Sequence, residues 1–157
     1  MSFDLTVSVP RCPPFLRQAL EREFATLGFE VEIYPAFDPT NWKGGFLPFR
    51  VAKAPFELVG VHLDESVVSG FEIDFTTESA HLRTAMGRTT TEFALQCLAA
   101  AMLAKLSGGH YYDDQNGLAC DSEQAFVAAM REIKLYVATA QPRDFAKHPF
   151  PGWDKLG

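Results

Sequence analysis

Residues 89–109 read TTTEFALQCLAAAMLAKLSGG, and the reading of this stretch decides the fold. Thr89 followed by Glu92 is a capping-box pattern, in which each side chain satisfies the other residue's free backbone N–H at a helix start. From Phe93 to Leu106 nearly every position is apolar and many are alanine, and Gly108-Gly109 ends the run. A helix of that composition has no polar face to turn to water, so it is expected to lie buried against a sheet. Broken by Gln96 and Lys105, the stretch is too short to span a bilayer, which takes about twenty apolar residues.

The sheet that such a helix needs is visible upstream. Phe3, Leu5, Val7 and Val9 alternate with Asp4, Thr6 and Ser8, the period of a strand with one buried face. Pro13-Pro14 opens a helix that carries Phe15, Leu16, Ala19, Leu20, Phe24 and Leu27 on one face, with Gly28 placed for a left-handed cap. Phe29, Val31 and Ile33 alternate with Glu30 and Glu32, so the opening unit is β-α-β, and strands sharing one sheet would run parallel. Residues 35–45, PAFDPTNWKGG, read as a loop. Extended runs are predicted at 46–53, 56–63 and 67–76, with short connections that favour an antiparallel meander. Residues 77–88 read as irregular.

Beyond the long helix, 110–120 reads as a hairpin turning at DDQNG. Asp121 and Gln124 start a third helix, in which Phe126, Ala129, Met130, Ile133 and Val137 repeat at helical spacing. The expected fold is α+β: a mixed, largely antiparallel sheet of about five strands plus a small hairpin, packed against three helices in the order β-α-β-β-β-β-α-β-β-α. Residues 1–141 form one domain in this reading, and 142–157 a tail laid on its surface and pinned by Phe150 and Trp153.

The chain has 157 residues, 47% apolar and 22% charged, a globular balance that supports one self-sufficient core. Cys12, Cys97 and Cys120 form an odd set with no CxxC spacing and read as reduced thiols. The N-terminus lacks a basic region ahead of its apolar residues, so a signal peptide is not expected and a cytoplasmic location is. A formal charge of −6 disfavours nucleic acid and suits either solubility or a basic partner.

Residues that could carry chemistry are few. His62, His81, His110 and His148 are scattered, none with a second ligand at helical spacing, so no metal or other cofactor is expected. Asp113 and Asp114 sit side by side at the presumed turn, where a solvated environment would not separate their pKa values for acid/base work. Gly44-Gly45 and Gly108-Gly109 lack the Lys-Ser/Thr of a phosphate loop, and no serine lies in a GxSxG elbow. His81, Arg83 and Arg88, just ahead of the long helix, form a candidate anion or ligand site. Trp42 and Trp153 are candidate interface anchors, and Glu30, Glu32, Glu72, Asp74, Asp113 and Asp114 are candidate contacts for a basic partner.

Three segments together carry a resemblance: FALQCLAAAMLAKLSGGH at 93–110, YYDDQNG at 111–117 and DSEQAFVAAMR at 121–131. An Ala/Leu-rich helix ending in Gly-Gly, an aromatic pair, an Asp-x-Gln-x-Gly turn and an acid-capped helix resemble small bacterial proteins of polymorphic-toxin systems, including immunity proteins and uncharacterised relatives. The likeness spans residues 87–134 and departs at Asp114, where a proline is common. It implies a noncatalytic protein that binds and inhibits a cognate toxin. The alternative expectation is a small enzyme or an anion- or ligand-binding domain using the 77–88 loop. A third is a homo-oligomer paired through an edge strand.

Overall fold

The computed structural model describes residues 2–60, 62–65, 67–85, 89–139 and 148–156. Its elements run β1 (Ser2–Ser8), α1 (Leu16–Thr26), β2 (Glu30–Ile33), β3 (Phe46–Lys53), α2 (Phe56–Val59), β4 (Val67–Phe75), β5 (Ser79–Ala85), α3 (Thr90–Ser107), β6 (Tyr111–Asp113), β7 (Leu118–Cys120), α4 (Ala125–Thr139) and β8 (His148–Pro149). Among the described residues the fold is α+β, with one sheet in the order β2-β3-β4-β5-β1-β6-β7 and the short β8 added beside β4. Every pairing is antiparallel. β1 and β2 run in the same direction, as expected of strands joined through α1, but β5, β4 and β3 separate them.

α3 is the centre of the molecule. It packs on β1, β4, β5 and β6 with one side and on α4 with the other, so every residue from Thr91 to Ala104 is buried. The Thr89 hydroxyl accepts a hydrogen bond from the Glu92 N–H at 3.2 Å, giving one half of the expected cap. Inside this apolar interface Gln96 donates from Nε2 to the carbonyls of Phe3 and Leu82, both at 2.9 Å. Those two bonds tie the helix to β1 and β5 at one register. No helix among the described residues is long and apolar enough to cross a membrane.

Four expectations need correction. Residues 79–85 form β5, with Ala80, Leu82 and Thr84 buried. The alternation was hidden because the inward residues are mostly small or polar and His81 and Arg83 point outward. The run at 56–63 opens as the short helix α2, for which Pro55 holds the extended N-cap and Gly60 a left-handed C-cap. Phe15 is not on the buried face of its helix: it precedes α1 with φ 55° and is 75% exposed. On α4 the buried face is Ala125, Ala128, Ala129, Glu132 and Ile133, while Phe126 lies at the surface. Alanines on both α3 and α4 suit close packing of the two helices, so Ala125, Ala128 and Ala129 face inward while Phe126 and Val127 turn out.

Candidate functional site

Because side chains alternate across a strand, the residues facing away from α3 assemble into a second surface. The register places Glu72 of β4 beside Arg83 of β5, and Arg83 beside Asp4 of β1. One step along the strands, Asp74, His81, Thr6 and Tyr112 follow one another across β4, β5, β1 and β6. At about 4.8 Å per strand this patch is roughly 15 Å wide.

Its charges are already organised. Arg83 donates from Nε to Glu72 Oε2 at 2.7 Å, and His81 Nε2 lies 3.2 Å from Asp4 Oδ1. The Glu72 hydrogen bond, with the nearby charges of Asp4 and Asp74, holds the Arg83 guanidinium above its ordinary pKa. The Ser2 hydroxyl donates to Asp4 Oδ2 at 2.7 Å. Gln115, in the β6–β7 turn, accepts from the Asp4 N–H and donates to the Ser2 carbonyl, both at 3.2 Å. That clip brings the turn with exposed Asp114 to the rim of the patch. Three carboxylates thus surround one guanidinium and one imidazole on an exposed, open sheet face.

Comparison with protein-family models, curated proteins and solved structures finds no match to this chain. The surface itself is therefore the guide to function.

The two sets of residues singled out in the sequence meet here in part. His81 and Arg83, read as a loop site for anions, share one strand face with Glu72 and Asp74, read as contacts for a basic partner. Arg88 lies outside the described residues. The rest disperse. Glu30 is exposed on the edge strand β2, where charge also discourages pairing with another sheet. Glu32 accepts a hydrogen bond from the Trp153 indole and lies 3.7 Å from Arg50. Phe150, beneath the Arg50 guanidinium, and Trp153, against Tyr34, hold residues 148–156 over that end of the sheet.

Trp42 is an internal fastener. Its indole N–H donates to the Ile73 carbonyl at 2.9 Å, and the ring packs edge-on against Phe37. The Gly45 carbonyl accepts from the Ile73 N–H at 2.9 Å, so the 35–45 loop is fastened twice to β4. Trp42→Phe should cost about 1 kcal/mol in a urea unfolding titration, the usual worth of one hydrogen bond. An unchanged midpoint would show that the bond contributes nothing.

Asp113 departs most from its expected setting. It is fully buried rather than solvated. Oδ1 accepts from the backbone N–H groups of Gln115 and Asn116 at 3.1 and 3.3 Å, and Oδ2 from Asn116 Nδ2 at 2.6 Å. Glu132 of α4 is 9% exposed and bonds to Asp113. Burial first, then this bond and the Asp113 charge, push its carboxyl up to about 8. Burial also raises the Tyr111 phenol and the Cys97 thiol beside them. The sequence offered no sign of this cluster, because its members lie on α3, β6 and α4 and meet only in the folded protein. Cys12, Cys97 and Cys120 are all free thiols. Among the described residues no three His, Cys, Asp or Glu side chains converge as metal ligands would.

Proposed function

We propose that this protein is a noncatalytic binding protein of the bacterial immunity type, working in the cytoplasm, whose acidic sheet face covers a basic surface on a cognate toxin. The observation that carries the reading is the patch of Asp4, Glu72 and Asp74 around Arg83 and His81, displayed on the outer face of three adjacent strands. Such a surface gives orientation and fast encounter with a cationic partner, since complementary charge acts mainly on the association rate. The net charge of −6 adds long-range attraction of the same sign. The resemblance over residues 87–134 supplies the class of partner.

A ligand or anion site at the same place is less well supported. Arg83 and His81 each face a carboxylate that would compete with any anion for them. The segment that was to form a loop around a ligand is instead a strand in the middle of the sheet.

The test is a pull-down from the source organism with wild type and with the D4N/E72Q/D74N variant. Wild type should retain a basic protein at low salt and release it at high salt. The variant should lose it, with association slowed by about tenfold or more. Recovery of no partner, or equal recovery by both proteins, would overturn the proposal.

A further inference from the structure

Large apolar side chains stand exposed along one face of α4, which packs on α3 on the side away from the sheet. Phe126 is 38% exposed, Val127 59% and Leu135 56%. With Met130, Arg131 and Lys134 they line an open groove of 660 Å³. A contiguous apolar strip of this kind on a charged surface marks an interaction site. Val127, Met130 and Lys134 of α4, with Glu123 in the turn just ahead of it, fall four, three and four residues apart, the spacing of a seam between two paired helices.

We propose that α4 is a self-association face, on which two copies of this chain pack their α4 helices antiparallel about a two-fold axis. The argument for a second copy is complementarity within α4 and the turn that leads into it, where the Ala125 N–H donates to the Asp121 carbonyl at 3.0 Å. An axis midway between Val127 and Met130 sets Val127 of each copy against Met130 of the other. The same operation sets Glu123 against Lys134, and symmetry repeats that pair. Glu123, Arg131 and Lys134 form no ion pair among the described residues. The helical part of the seam, Val127 to Lys134, is about 10 Å long at 1.5 Å per residue, which suits a weak dimer rather than an obligate one. Since α3 lies between α4 and the sheet, the dimer leaves both acidic faces open, and each assembly could hold two basic partners.

Sedimentation equilibrium on the purified chain, from about 1 to about 500 μM, is the test. Wild type should show a reversible monomer–dimer equilibrium. Val127→Asp, which forces carboxylates into the apolar seam, should raise the dissociation constant at least about a hundredfold. Glu123→Lys and Lys134→Glu should each raise it by roughly tenfold, and the double variant E123K/K134E should return it close to wild type. All three positions are exposed, so the variants should keep the wild-type circular dichroism. A wild type that stays monomeric throughout would overturn the proposal and leave the strip to a different protein. So would a Val127→Asp variant that still dimerises, or a double variant weaker than both singles.

Discussion

Glu132→Gln is expected to flatten the pH dependence of stability and to leave the protein more stable than wild type at pH 8. In the folded protein the Glu132 carboxyl is pushed up to about 8, against 4.5 for an ordinary glutamate, by burial and by Asp113. A folded pKa above the unfolded value means that the native state keeps a proton which the unfolded chain releases. The stabilisation is complete below pH 4.5 and is lost as pH rises to about 8. The slope is at most about 1.4 kcal/mol per unit, so the whole loss is on the order of a few kcal/mol. Gln at this position still offers an N–H to Asp113 and has no proton to lose. Urea unfolding of both proteins from pH 5 to about 9 measures the difference, and groups that titrate alike in the two cancel. Parallel stability profiles would show that Glu132 is not held protonated.

The second large effect concerns the two glycines that end α3. Gly109→Ala should destabilise the fold by roughly 3 kcal/mol or more, as overpacking against fixed main chain does. A Cβ at Gly109 would overlap the carbonyl oxygen of Ser8. Neither chain can give way easily. The Ser8 N–H donates to the His110 carbonyl at 2.9 Å, and the His110 N–H donates to the Ser8 hydroxyl at 2.7 Å. Gly109 is itself bonded back to the Ala104 carbonyl at 2.9 Å. Gly108→Ala should cost only about 1 kcal/mol, the price of a left-handed conformation for an L side chain. Gly108 has φ 69° and open space where a Cβ would go. Equal losses for the two variants would mean that the close approach of this turn to β1 is not what the second glycine serves.

These two positions show what kinds of information the sequence carries. Gly-Gly is legible as a helix stop, yet which glycine caps and which clears a neighbouring strand depends on β1 passing beneath. The outward set Asp4, Thr6, Glu72 and Asp74 was legible strand by strand from alternation, but its meeting with His81 and Arg83 was not. It required β5 to be recognised as a strand and inserted between β1 and β4. β5 carries a weak strand signal because Ala80 and Thr84 are small or weakly apolar inward residues, and α3 rather than their own bulk fills the space beneath. The apolar spacing of α4 was also real, but it did not say which face is buried. Close contact with α3 selected the alanines and left Phe126 and Val127 outside.

Local chemistry in the chain was enough to determine that strands with one apolar face and an all-apolar helix must combine into an α+β domain. Alternation, caps and turn residues act within a few positions, and neither the strand faces nor the helix can be stable in water alone. Strand order, the burial of Asp113 with Glu132, the shared acidic face and the exposed strip on α4 were decided only by tertiary structure. Each joins residues far apart in the chain, and such neighbours are chosen by the packing of whole elements around α3.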